Sequence, residues 1–124
     1  MRGLGPLEAA VMQHLWAAGE PQPVRTVHEQ LAAGRKIAYT TVMTVMDNLH
    51  RKGLLDRLRE GRAYLYSPKQ SREEYTAVLL GDVLAEGGDR QGVLMHFVDG
   101  LDEDGLESLR QVLKTPGRRG QGGA

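Results

Sequence analysis

A chain of 124 residues, 40% hydrophobic and 26% charged, suits one compact domain or a small domain with a partner-dependent extension, and excludes two large cores. The absence of cysteine excludes disulfides, thiolate nucleophiles and zinc-thiolate sites. No apolar run approaches the roughly 18 residues that a membrane-spanning helix needs, and MRGLGPLEAA lacks a signal-peptide core, so the expected setting is cytoplasmic, without membrane insertion.

The formal net charge of zero hides a division. Residues 1–69 carry ten Lys/Arg against six Asp/Glu, whereas residues 70–124 carry six against ten. Within the first part, Arg35 to Lys69 holds eight basic and three acidic residues. A basic head on an acidic tail is the pattern of a DNA-reading domain joined to a part that stays off DNA.

Taken in order, Pro6 opens a helix running to about Ala18, with Leu7, Val11, Leu15 and Trp16 on its apolar side and Gly19 closing it. EPQP forces an extended link. A second helix covers Val24 to Ala33, with Val24, Val27 and Leu31 inward, and ends at Gly34.

The stretch Ile37 to Gly53, IAYTTVMTVMDNLHRKG, forms a third helix. At 100° per residue, Ala38, Val42, Val45, Met46 and Leu49 gather on one side and Thr40, Met43, Thr44, Asp47 and Arg51 on the other. The second side carries small hydroxyls and a thioether near its start and basic Arg51 and Lys52 near its end. Small threonines let a helix approach base edges, where methyl and hydroxyl groups touch a thymine methyl or hydrogen-bond a base or phosphate. The same pattern also fits an ordinary amphipathic helix with solvated threonines. Asp47 pairs with Arg51 at i+4 or accepts from a cytosine amine, and the pair is the favoured reading.

After Gly53 the period changes. Leu54 to Arg59, a turn at Glu60-Gly61, and Arg62 to Ser67 read as a hairpin ended by Pro68. Three helices and a basic hairpin are the order of a winged helix-turn-helix. Arg57, Arg59 and Arg62 would then neutralise phosphates, adding affinity without reading sequence.

From Ser71, a Ser-Arg-Glu-Glu capping box opens a helix to about Glu86 with Tyr75, Val78, Leu79, Val83 and Leu84 apolar. Gly87-Gly88 breaks it. A helix from Asp89 to Asp99 offers Val93, Leu94, Phe97 and Val98, and Asp102 caps a last one to Lys114 with Leu106, Leu109 and Leu113 in line. Three such helices are too small for a core of their own, so they need a partner surface. A second copy is the simplest; folding back on the winged helix is the alternative. The expected fold is therefore mainly α with a small β-hairpin: residues 1–69 a winged-helix DNA-binding domain, 70–114 a helical dimerisation region contributing Tyr75, Val78, Leu79, Val83, Leu94, Phe97, Leu106, Leu109 and Leu113, and 115–124 a disordered tail. A dimer would set two reading helices one DNA turn apart, about 34 Å, and demand a palindromic operator in double-stranded DNA.

Nothing in the sequence points to an enzyme. The four histidines, His14, His28, His50 and His96, fall in no metal-ligand or nucleophile spacing, and no glycine-rich loop links a strand to a helix. No cofactor and no metal are expected. A winged helix used for protein-protein contact is the second function class, and the salt dependence of duplex binding separates the two.

LGPLEAAVMQHLW, AYTTVMTVMDNLHRKGLL and REGRAYLYSP, in this order, resemble the penicillinase-repressor family of BlaI, MecI and CopY type, over about Leu4 to Leu113. The resemblance implies a homodimeric winged-helix repressor covering a dyad operator near genes of β-lactam resistance or related stress responses. It places Tyr39, Thr40, Thr41, Met43 and Thr44 toward bases or adjacent phosphates and Arg62 at the wing. It also implies release by cleavage triggered by a membrane metalloprotease sensor, at a bond before Phe; in VLMHFV that bond is His96-Phe97. Here His stands where the best-known members have Asn. The cysteine cluster of copper-responsive members is absent, which excludes copper sensing by that route.

Overall fold

The computed structural model describes residues 3–115. In chain order it contains α1 (Pro6–Ala18), β1 (Gln22–Pro23), α2 (Val24–Ala32), α3 (Tyr39–Arg51), β2 (Leu55–Glu60), β3 (Ala63–Pro68), α4 (Arg72–Glu86), α5 (Arg90–Asp99) and α6 (Glu103–Lys114). The fold is mainly helical, with a winged helix at its N-terminal end, as the periodicity predicts. The EPQP link is more than a connector, since Gln22 and Pro23 pair antiparallel with Tyr66 and Leu65. The sheet is therefore three-stranded, in the order β1-β3-β2.

Helix ends follow their local chemistry. The first begins at Pro6 and stops at Gly19, which takes φ 72°. Gly53, at φ 80°, donates to the His50 carbonyl (3.0 Å) while Leu54 donates to the Leu49 carbonyl (3.0 Å), a Schellman closure that turns the chain from α3 into β2. Ser71 and Glu74 form the expected capping box, with bonds of 3.0 and 2.8 Å. The Asp102 carboxylate accepts from the Gly105 amide at 2.8 Å and caps α6.

Contacts divide the chain into two compact units, Met1–Leu79 and Leu80–Ala124, so the first unit ends at Leu79 and not at residue 69. Its core is built from Val11, Met12, Leu15, Val24, Val27, Val42, Met46, Leu49, Leu55 and Tyr66. Three residues depart from the sequence reading. Ala38 is exposed, because it is the extended N-cap of α3 and not a core residue of the helix. The hairpin turn is Gly61-Arg62, one residue later than expected, with Glu60 still paired to Ala63. Tyr75 belongs to the first unit's interior. It is 7% exposed and packs against Trp16 at 5.6 Å between ring centres, so it is not open to a second chain. The Trp16 indole N–H completes that corner by donating to the Gln70 carbonyl at 3.0 Å.

The second unit has a different composition of surface. Neither α5 nor α6 has a buried residue. Leu80, Val83, Leu94, Met95, Phe97, Val112 and Leu113 are exposed there, while Leu106 and Leu109 are half-buried. The predicted tail lies outside the described residues except for Thr115. No helix among the described residues is long and apolar enough to cross a membrane.

Candidate nucleic-acid interface

The third helix is anchored by its buried face and by α2. Val42, Met46 and Leu49 are fully buried and fix its rotation. His28 of α2 reaches the Ile37 carbonyl at 2.8 Å; since a carbonyl only accepts, Nε2 carries the proton. The same imidazole meets the Tyr39 ring edge-on at 5.7 Å between centres. Thus α2 holds the entry to α3 by a polar clip and an aromatic contact, and the helix-turn-helix angle is set before any ligand arrives.

With that rotation fixed, Tyr39, Thr40, Thr41, Met43 and Thr44 are all exposed, and Tyr39 and Met43 show 45% and 42% of their surfaces to solvent. Two grooves open to solvent flank Met43. One, of about 520 Å³, runs between Tyr39, Met43, Arg25 and the hairpin residues Arg62 and Tyr64. The other, of about 450 Å³, is lined by Met43, Thr44, Asp47, Asn48, Arg51, Arg57, Tyr64 and Tyr66. Both hollows lie between the helix and the hairpin, sharing Met43, Tyr64 and Tyr66.

The predicted cations divide by what already holds them. Arg51 pairs with Asp47 at 2.9 Å, the i+4 pair favoured from sequence. Lys52 reaches Glu8 of α1 at 2.7 Å. The hydrogen bond from Lys52, and then that from the Gly5 amide, hold the Glu8 carboxyl below its usual range. Arg57 bonds Asp47 at 3.1 Å and lies 4.1 Å above the Tyr64 ring. Arg59 donates to the Gly61 carbonyl at 3.2 Å, and Arg62 is exposed in the turn itself. Arg59 and Arg62 are thus placed at the hairpin tip, whereas Lys52 and Arg57 also brace the fold. The roles of Tyr64 and Glu8, and the second bond of Asp47 to Arg57, were not foreseen. The alternation of Arg57 and Arg59 across from Tyr66 and Tyr64 was the available signal, because paired strands bring such residues together.

The comparisons with known proteins fall on this geometry. The model of the Penicillinase repressor family matches residues 4–115. The chain belongs to the penicillinase-repressor family. The "Transcriptional regulator BlaI" of Mycobacterium tuberculosis, in two strains, is 49% identical over 113 residues, covering 89% of this chain and 82% of the relative. Among solved structures, the DNA-binding domain of the repressor BlaI aligns with a TM-score of 0.51 at 24% identity, over 56% of this chain and 84% of that one. The transcriptional regulator Tm0710 from Thermotoga maritima aligns with a TM-score of 0.51 at 20% identity, over 90% of this chain and 72% of that one. The two structural likenesses concern the fold. Family membership makes this penicillinase-repressor chain a BlaI-like transcriptional repressor and not an enzyme.

Proposed function

We propose that this repressor is a homodimer that grips a dyad operator by inserting α3 into the major groove of double-stranded DNA. The observation that carries the reading is the exposure of Thr40, Thr41, Met43 and Thr44 on a helix whose opposite face buries Val42, Met46 and Leu49 completely. Such a helix has its core obligation met and offers a close-fitting face to base edges. Arg59 and Arg62 at the wing tip are the phosphate-facing cations, with Arg51, Lys52 and Arg57 adding charge from paired positions. The solved BlaI domain with the same fold is described as DNA-binding.

The second copy is joined through the second unit and the end of α4. Val78, Leu79, Val83, Leu94, Phe97, Leu106, Leu109 and Leu113 are its contacts, extended by Leu80, Met95 and Val112, which are exposed in the single chain. A soluble single chain gains nothing from so many exposed apolar side chains, and a twofold partner removes them from water. The targets are genes of β-lactam resistance or related stress responses, and a membrane metalloprotease sensor triggers release by cleavage at His96-Phe97. That bond lies within a ten-residue helix with no buried side chain, a segment that opens locally at low cost. Exposure of cells to a β-lactam should give a fragment ending at His96; an unchanged full-length band would exclude the switch.

Mobility shifts on the DNA upstream of its own coding region, searched for an inverted repeat, test the main reading. Affinity should fall at least about a hundredfold between 50 and 200 mM salt, as counterion release requires for several phosphate contacts per protomer. A flat response would point instead to a winged helix that binds protein.

A further inference from the structure

Asp47 sits at the middle of the exposed face of α3, one turn beyond Thr44, and both of its oxygens are occupied. Oδ2 accepts from Arg51 at 2.9 Å and Oδ1 from Arg57 at 3.1 Å. The two arginines arrive from different elements, one from the same helix and one from β2. Their surroundings differ as well. Arg51 keeps 73% of its side-chain surface in water, whereas Arg57 keeps 26% and is stacked on Tyr64. One carboxylate therefore bonds two guanidinium groups on the edge of the groove that α3 shares with the hairpin, and Arg57 is held by the Tyr66 hydroxyl as well.

We propose that Asp47 is a positioning and specificity residue: it withholds two arginines from indiscriminate phosphate contact and ties the wing to the reading helix, and it reads no base itself. The proposal rests on the duplex-binding reading above. Arginine contacts to phosphates raise affinity for every sequence alike, so a free Arg51 and Arg57 would strengthen random binding as much as operator binding. Specificity is the ratio of the two, and holding back the sequence-independent part raises it. The exposed Asp47–Arg51 pair is weak, so it lowers the share of Arg51 that is free for any phosphate only by about fivefold at most. The Asp47–Arg57–Tyr64 side is more enclosed and keeps β2 at a fixed distance from α3.

The test uses the full chain on two duplexes of about 30 base pairs, the inverted repeat upstream of its own coding region and a random sequence, with affinity measured against salt. Asp47→Asn should steepen the log-log salt dependence on the random duplex by about one per protomer, since each phosphate gained adds about 0.9 and Arg57 stays held by Tyr64 and Tyr66. The operator-to-random ratio should fall by about tenfold, and Asp47→Glu should restore both. Arg57→Gln tests the same idea without touching Asp47. It should weaken operator binding through the loosened wing yet leave the random-duplex slope unchanged. An unchanged slope and ratio in Asp47→Asn, or a shallower random-duplex slope in Arg57→Gln, would overturn the proposal. Salt-independent binding by the unmodified chain would instead overturn the duplex-binding reading beneath it.

Discussion

The first unit buries ten side chains of one continuous core, whereas among the described residues of the second unit none is buried. Both are helical and both have regularly spaced apolar positions, so periodicity alone does not separate them. What separates them is where the apolar faces end up. In the first unit Val42, Met46 and Leu49 meet Val11, Leu15 and Leu55. In the second, Phe97 and Leu113 each leave 59% of their surface in water. The difference teaches that a self-sufficient domain and a region with open apolar faces can share one sequence grammar, and that charge, basic in residues 1–69 and acidic in 70–124, divides the chain along the same lines.

The sharpest way to break the contrast is to truncate each apolar set in turn. Leu49→Ala, at a fully buried position, should cost about 2–5 kcal/mol and lower the first unit's melting temperature by more than about 10 °C in calorimetry. Phe97→Ala should leave that transition in place while weakening self-association by about thirtyfold in sedimentation equilibrium, the effect of a central contact worth about 2 kcal/mol. If Phe97→Ala unfolded the first unit as Leu49→Ala does, the two regions would not differ as described. Gly53→Ala sharpens the same comparison at a smaller scale. Nothing lies within 4 Å of the added methyl, so the cost is that of φ 80° alone, about 1 kcal/mol, read as a shift in the urea midpoint.

Glu8→Gln should have the smallest effect, about 0.2–1 kcal/mol for a partly exposed pair with Lys52. Because the folded carboxyl titrates below its unfolded value of about 4.3, the pair stabilises above that pH, and its contribution is lost as pH falls through the folded value. The difference in urea midpoint between the two proteins should therefore be present at pH 7 and shrink as the pH is lowered through and below the unfolded value.

Much of this was legible in the sequence because the deciding chemistry is local. Pro6 and Gly19 bound the first helix, Ser71 and Glu74 cap the fourth, and the 3.6-residue spacing of Val42, Met46 and Leu49 sets the rotation of the third. What escaped depends on residues distant along the chain. Gln22 and Pro23 become a strand only because Tyr66 and Leu65 lie alongside them. Tyr75 looked free on its own helix and is buried because Trp16 of the first helix covers it. Lys52 and Arg57 read as cations for the DNA backbone, with no local sign that Glu8 and Asp47 reach them from other elements. Tertiary pairing overrides such local readings.

The proposed mode of DNA binding turns on the crest of one short helix being shaped for a duplex. Thr44→Glu places a carboxylate on that crest, at an exposed site where glutamate is the better helix former, so folding and self-association should be unaffected. In a mobility-shift assay with the upstream inverted repeat, the variant should show no shift at concentrations that saturate the unmodified chain, because the new charge faces phosphates and base acceptors. Unchanged binding by Thr44→Glu would mean that DNA meets some other surface.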